Sequence, residues 1–166
     1  MRLMRMLKHL SAPSGMLHRN LSDGMLDAIT AAIAQGETAH RGEIRIVLEG
    51  ALPLSSLWRN ESPRQRAANL FVSYGIGQTR EASGILVYIQ LLERRVEILG
   101  DQGIASHVTQ HEWDSLCRSM EASFAKGDFK NGLLNAVDRM NILLTTHFPA
   151  DAEDNPNELE NRPLVI

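Results

Sequence analysis

The segment from Gly84 to Gly103 constrains the fold more than any other part of the chain. Residues 84–91 are aliphatic or β-branched at nearly every position, which is typical of a strand covered on both faces. Residues 95–100 alternate between polar and apolar side chains, which predicts a strand with one solvent-exposed face. The charged corner Glu93-Arg94-Arg95 separates the two runs. The sequence therefore predicts a β-hairpin here.

Helix and strand signals alternate through the rest of the chain. Residues 43–49 alternate enough to predict a first strand. The predicted helices each follow a capping side chain or a glycine turn, and they begin near Ser22 or Asp23, Ser62-Pro63, Thr109 and Gly127-Asp128. This order predicts an α/β fold with a mixed β-sheet flanked by α-helices on both faces. We expect the core to contain Ile85, Val87, Ile89, Leu70, Phe71, Trp113, Leu116, Val137 and Met140.

Composition excludes several classes of protein. With 43% hydrophobic and 22% charged residues, the chain is an ordinary globular sequence rather than a disordered one. A net charge of −3 and only 5% aromatic residues give no basis for binding nucleic acid. No apolar run is long enough to span a membrane. One cysteine and no secretory signal favour a cytoplasmic location.

Two terminal segments of opposite character bracket the predicted domain. We divide the chain into an N-terminal extension (1–20), an α/β domain (21–149) and an acidic C-terminal tail (150–166). We expect residues 151–161 to be solvated, whereas docking of the closing Leu164-Val165-Ile166 stays open. Residues 1–10 form a basic, amphipathic helix pattern. They either make weak contact with a membrane surface or pack on their own domain, and the second alternative is favoured because ten residues bury little area.

Several short motifs occur in an order that matches a known family. They are Gly42-Glu43-Ile44, Arg64-Gln65-Arg66-Ala67 with Phe71, Thr79 ahead of Gly84–Ile89, Val96-Glu97-Ile98, and the Phe124–Phe129 turn before a long helix. Over about residues 22 to 149 the chain resembles the TPM domain family, named for thylakoid-lumen, photosystem II-repair and acetylcholine-receptor-auxiliary members. The resemblance implies a central sheet between helices. It also implies three candidate roles, because plant members are described as acid phosphatases, some bacterial members bind calcium, and others assist membrane processes.

The loop after the third strand is the candidate ligand site. The family often has Gly-x-Gly-Leu-Glu there, whereas this chain reads Asp101-Gln102-Gly103-Ile104-Ala105, so Asp101 replaces a glycine and Ala105 replaces the carboxylate. Loops beyond the carboxyl ends of strands commonly bind ligands in open sheets. The predicted ligand-binding residues are Gly100, Asp101, Gln102 and Gly103, with Thr79 and Glu43 as neighbours. Asp101 is a weak candidate for binding calcium, and the alternative is that it caps its own turn.

A second polar group lies where the first helix meets the first strand. Glu37, His40 and Glu43 either form the rim of a cleft or are simply solvated, and solvation is favoured. No paired acid–base or nucleophile motif accompanies them. The sequence therefore favours a non-enzymatic binding or scaffolding module that needs no cofactor and whose partner is another protein. The alternative is a metal-assisted acid phosphatase that acts on phosphate monoesters.

Overall fold

The computed structural model describes residues 2–12, 21–151 and 155–166. Its elements in chain order are α1 (Arg2–Leu10), α2 (Asp23–Glu37), β1 (Glu43–Glu49), α3 (Leu54–Trp58), α4 (Pro63–Ser73), a 3₁₀ turn (Ile76–Gln78), β2 (Gly84–Gln90), β3 (Arg95–Gly100), α5 (Gln102–Ala105), α6 (Gln110–Ala125), α7 (Phe129–His147) and β4 (Leu164–Val165). Part of the predicted N-terminal extension (13–20) and the predicted acidic residues Glu153 and Asp154 lie outside the described residues.

Four strands form one mixed sheet in the order β3-β2-β1-β4. β1 is parallel to β2 and to β4, whereas β2 and β3 are antiparallel. The three predicted strands are confirmed, although β2 ends at Gln90 rather than at residue 91. The short edge strand β4 was not predicted.

Capping side chains begin the longer helices where the sequence predicted. The Ser22 hydroxyl accepts a hydrogen bond from the Met25 amide at the start of α2. Ser62 and Thr109 each take part in a reciprocal capping box with the residue three positions later, at the start of α4 and α6. These bonds satisfy helix amides that otherwise have no partner, so the sequence sets each boundary locally.

One face of the sheet packs against α2, α6 and α7 and forms the larger core. Alternate residues of the strands point into it, including Ile44, Ile46, Val87 and Ile98. None of the helices in the described ranges is both long and apolar enough to cross a membrane. The opposite face packs against α4, the 3₁₀ turn and the C-terminal segment, around Val47, Leu86 and Tyr88. The sheet therefore has helices on both faces, as predicted.

The C-terminal residues 155–166 are not a solvated tail, which corrects the sequence prediction. The guanidinium of Arg45, on β1, donates to the backbone carbonyls of Glu160 (2.5 Å) and Arg162 (2.7 Å). The Ile166 amide donates to the Leu48 carbonyl at 2.9 Å, beside β4. Backbone groups of this segment bind charged side chains of the sheet, while residues 155–158 and Glu160 stay exposed.

Two predicted core residues are only partly buried. Phe71 and Leu116 pack against the margins of the core, whereas the other seven predicted positions are buried. On α6 the buried residues are Trp113, Met120 and Phe124, and Leu116 lies at the border of that stripe. Spacing alone places a side chain on a face but does not decide how far the neighbouring elements cover it.

We expect Leu144→Ala to destabilise the protein and Ile142→Ala to leave it nearly unchanged. Both residues lie on α7, but Leu144 is fully buried while Ile142 is 55% exposed. Loss of a buried leucine side chain costs about 2–5 kcal/mol, whereas exposed substitutions usually stay within about 0.5 kcal/mol. Urea denaturation measures both, and similar losses in the two variants would contradict this orientation of α7.

Candidate functional site

The predicted site residues meet at the edge of the sheet where β1 and β2 begin. Because β3 is antiparallel to β2, its carboxyl end lies beside the amino end of β2, and the Asp101 amide donates to the Gly84 carbonyl at 2.9 Å. Gly84 in turn pairs with Glu43, the first residue of β1. The structure thus brings Asp101 and Glu43 to one edge. That edge is not the carboxyl edge of the parallel strands, so the general rule for ligand sites in open sheets does not apply to it.

The backbone amides of the loop after β3 donate hydrogen bonds to groups of the protein itself. Asp101 caps α5, since its Oδ1 accepts from the Gln102 amide at 2.8 Å. The carbonyl of Ala82 accepts from the amides of Gly103 (2.9 Å) and Ile104 (3.3 Å). Asp101 Oδ2 is buried and has no hydrogen-bond partner among the described residues. The loop therefore offers a ligand one carboxylate oxygen and none of these three amides.

The glycines of this loop make room for the protein itself. A Cβ on Gly103 would lie 2.4 Å from the Glu81 carbonyl oxygen and 2.6 Å from that of Ala82. A Cβ on Gly100 would lie 2.8 Å from the Ile104 side chain. Thr79 is also structural, because its hydroxyl accepts from the Ser83 amide at 3.1 Å. Close approach of the loop to residues 81–82 accounts for the glycine at 103.

Glu43 holds the C-terminal segment. Its side chain is buried at the start of β1, and its two carboxylate oxygens accept from the amides of Glu158 and Leu159, each at 3.1 Å. Burial raises the pKa of the Glu43 carboxyl, although these two hydrogen bonds oppose the shift. Glu43 therefore binds the chain's own backbone at the place where the sequence suggested a ligand.

An acidic cleft of about 350 Å³ opens beside Glu43 and is lined by Glu37, Asp151, Asn155 and Asn157, among others. Burial and the neighbouring charge of Glu43 raise the pKa of Glu37 to about 7, while a hydrogen bond from Asn161 opposes the shift. We define the acidic cleft by these residues. Glu37 is the group there that exchanges a proton near neutral pH.

The favoured interpretation of Glu37, His40 and Glu43 as solvated residues was wrong for His40 and Glu43, whereas Glu37 is only partly buried. His40 is fully buried and bonds Asn141 through Nε2 at 3.0 Å, and Glu43 is 3% exposed. Residues 155–161 bind all three residues, and no sequence pattern indicated this because the segment is rich in Asn and Glu. The cleft alternative, which was left open, describes Glu37 and Glu43, whereas His40 is fully buried and does not line the cleft.

No metal-binding cluster occurs in the described ranges, since no three His, Cys, Asp or Glu side chains lie close enough together to hold an ion. Burial also raises the pKa of the Cys117 thiol to about 12, so it is a neutral thiol at physiological pH and a poor nucleophile. The groups at this edge that could take part in chemistry include the Glu37 carboxyl and the Arg41 guanidinium, whereas the unpaired Oδ2 of Asp101 is buried.

A larger groove of about 650 Å³ lies between α2 and α7. Ala32, Gly36 and Ala39 form one wall, and Leu134 and Ile142 contribute to the other. A Cβ on Gly36 would lie 2.2 Å from the Asn141 side chain, so the two helices touch there. Ala32 and Gly36, four positions apart on α2, and Ala39 just beyond its end were the sequence signal for this close approach, and it was not recognised from the sequence.

The comparison with known families agrees with this geometry. A model of the TPM domain matches residues 18–142. The chain belongs to the TPM domain family. No curated protein sequence is detectably similar to it.

Solved structures of bacterial proteins share the fold. The BA42 protein of the psychrophilic bacterium Bizionia argentinensis is 28% identical, with a TM-score of 0.75 over 87% of this chain and 94% of that one. The N-terminal domain of a P. gingivalis protein is 15% identical (TM-score 0.65; 86% of this chain, 96% of that one). The N-terminal domain of cg2496 from Corynebacterium glutamicum is 14% identical (TM-score 0.58; 86% and 84%). These two more distant likenesses concern the fold alone.

Glu37→Gln is expected to remove a pH dependence of stability. The pKa of Glu37 rises from 4.5 in the unfolded chain to about 7 in the fold. Between these values the folded state holds more protons, so the free energy of unfolding falls as pH rises through this window. Above it, the variant should be more stable than the wild type by about 1–2 kcal/mol once solvent screening is allowed for. Below pH 4.5 the two should converge.

Urea denaturation at both ends of this pH window measures the effect. A difference between variant and wild type that is the same at both ends would show that the buried charge of Glu37 does not cause it.

We expect calcium to bind the Asp101 loop weakly or not at all. One free carboxylate oxygen is far short of the six or more ligands that calcium prefers, so the dissociation constant should be roughly 10⁻³ M or weaker. Asp101→Asn keeps the helix cap and removes the charge, and Asp114→Asn on exposed α6 is the matched control. In calorimetry, micromolar binding lost only in Asp101→Asn would contradict this expectation, and equal binding by both variants would place the ion elsewhere.

Proposed function

We propose that this TPM domain is a non-enzymatic module that binds another protein through the groove between α2 and α7. The chemistry of that groove carries the proposal. Its walls are aliphatic or small, and Ile142 is 55% exposed at its margin. Asp138, Thr145 and Thr146 add polar groups. A surface that combines apolar and polar side chains in this way has the usual composition of a protein-binding surface.

The fate of the buried carboxylates supports a binding role over a catalytic one. Glu49 accepts from Arg66 and from the Tyr88 hydroxyl at 2.6 Å each. Glu43 is bonded to backbone amides, and Asp101 caps α5. A catalytic carboxylate must be free to take or give a proton at a substrate. These three instead hold elements of the domain together.

A metal-assisted phosphatase remains the second candidate because of the acidic cleft. Glu37, with its pKa of about 7, has the proton affinity of a general acid at neutral pH. The guanidinium of Arg41 lies at the same edge, bonded to Glu81 at 3.2 Å and to Asp151 of the cleft. A phosphate monoester would have to displace these carboxylates from Arg41, and a divalent cation would have to supply the remaining positive charge.

Two matched variants test the binding role. Ile142→Asp places a charge at the groove, whereas Val72→Asp places the same charge on α4, where Val72 is 77% exposed. The partner is first captured with immobilised wild-type protein, identified and purified. It should bind Val72→Asp normally and Ile142→Asp at least about tenfold more weakly. Equal affinity for the two variants would exclude the groove as the binding surface.

Hydrolysis of p-nitrophenyl phosphate, with magnesium or calcium present, separates the two functions. The wild type should release no more phosphate than Glu37→Gln does. Release that requires the cation and is lost in Glu37→Gln would establish the phosphatase instead.

A further inference from the structure

The helix α1 is attached to the domain by its polar side. Arg5 donates to the Glu61 carbonyl at 2.8 Å and to both carboxylate oxygens of Glu93. His9, which is 4% exposed, bonds Glu93 through Nε2 at 2.9 Å. Its Nδ1 accepts from the Leu52 amide at 3.0 Å. Since an amide N–H can only donate, the imidazole proton is on Nε2 and points at Glu93.

Glu93 is the centre of this attachment. Burial alone would raise its pKa, but the hydrogen bonds from Arg5 and His9 together outweigh burial and hold the pKa of Glu93 below its ordinary value. The carboxylate is therefore ionised and paired at neutral pH. Its bonds to α1 fix the helix to the turn between β2 and β3.

The apolar side of α1 consequently faces outward. The four side chains on that side are 57–78% exposed: Leu3, Met4, Leu7 and Leu10. An amphipathic helix normally buries this side against its own domain. Packing of α1 on the domain was the favoured prediction from the sequence. The helix does pack there, but through the side that was expected to face water.

The helix α3 extends the outward apolar face. It contacts α1 and exposes Leu54 (55%) and Trp58 (73%). We call Leu3, Met4, Leu7, Leu10, Leu54 and Trp58 the α1–α3 surface. These are six of the ten large exposed hydrophobic residues in the described part of the chain. Such a concentration of apolar side chains marks an interaction site rather than ordinary surface variation.

The exposed charges around the α1–α3 surface are positive. Lys8 on α1, Arg59 after α3 and Arg94 in the β2–β3 turn are all exposed. Within residues 2–12, 50–60 and 91–95 the only acidic residue is Glu93, whose charge is paired with that of Arg5. The face therefore combines apolar side chains with uncompensated cations.

We propose that the α1–α3 surface docks this domain on an anionic lipid bilayer. Leucine and methionine side chains of a helix lying flat on the membrane enter the acyl boundary, and cations beside them bind lipid phosphates. Tryptophan prefers the same interfacial depth. A symmetric dimer through this face would bring together the cations of two copies, which repel each other. Docking of this kind is reversible, because six side chains bury much less area than a spanning helix does.

This inference goes beyond the protein-binding role and does not depend on it, because the groove between α2 and α7 and the α1–α3 surface share no residues. Failure of one proposal leaves the other standing.

Flotation of the protein with vesicles tests the docking. Wild type should float with vesicles of phosphatidylcholine and phosphatidylglycerol, and much less with phosphatidylcholine alone or at high salt. The double variant Met4→Ser/Leu7→Ser should bind at least about tenfold more weakly, since each buried apolar side chain contributes to partitioning. Val72→Ser, which removes an equally exposed side chain from α4, should bind as the wild type does. Melting curves of all three should agree.

Tryptophan fluorescence supplies an independent measurement. Trp58 is 73% exposed and Trp113 is 3% exposed, so iodide should quench only Trp58. Vesicles containing phosphatidylglycerol should protect Trp58 from iodide and shift its emission to shorter wavelength. Unchanged quenching, or flotation unaffected in the double variant, would overturn the proposal. So would self-association in the absence of lipid that the double variant abolishes, because the face would then bind a second copy of the chain.

Discussion

The face of the sheet that packs against α4 and the C-terminal segment depends on the neutralisation of three charges on one buried strand, β1. All seven residues of β1 are buried, and Glu43, Arg45 and Glu49 are among them. An unpaired ion in such a position costs several kcal/mol. Arg66 of α4 and Tyr88 of β2 bind Glu49, whereas backbone groups of the C-terminal segment bind Glu43 and Arg45. The position of α4 and the path of the C-terminus are therefore set by where these charges need partners.

The sequence predicted the elements well where the determinants are local. The caps at Ser22, Ser62 and Thr109, and the apolar character of β2, depend on residues within a few positions of one another. The partners of Glu43 and Arg45 lie more than a hundred positions away, so the alternation in residues 43–49 predicted the strand but not the covering of both its faces. The prediction of a solvated C-terminal segment failed for the same reason, because polar side chains indicate solvation unless their distant partners are known.

The proximity of Asp101 and Glu43 was predictable from the sequence, but the structural role of each residue was not. The sequence placed Asp101 and Glu43 near each other, and both lie at the edge where β1 and β2 begin. It could not show that the carbonyl oxygens of Glu81 and Ala82 occupy the space beside Gly103. A glycine required for close approach looks the same in a sequence whether a ligand or the chain's own backbone approaches. The side through which α1 packs on the domain could not be predicted either, because an amphipathic pattern does not show that the polar side has a partner such as Glu93.

The partners of the charged residues of β1 are synthesised last, and this affects when the sheet can be completed. Glu43 and the backbone amide that it binds at residue 158 are 115 positions apart. While a ribosome is still making α6 and α7, β1 and β2 can already pair, but Glu43 and Arg45 lack their C-terminal partners. The nascent domain must therefore leave this face of β1 hydrated and cannot close it until segment 155–166 has emerged. Completion of the sheet by β4 therefore follows the synthesis of every other element, and a nascent chain that still lacks this segment exposes the strand edge that β4 later covers.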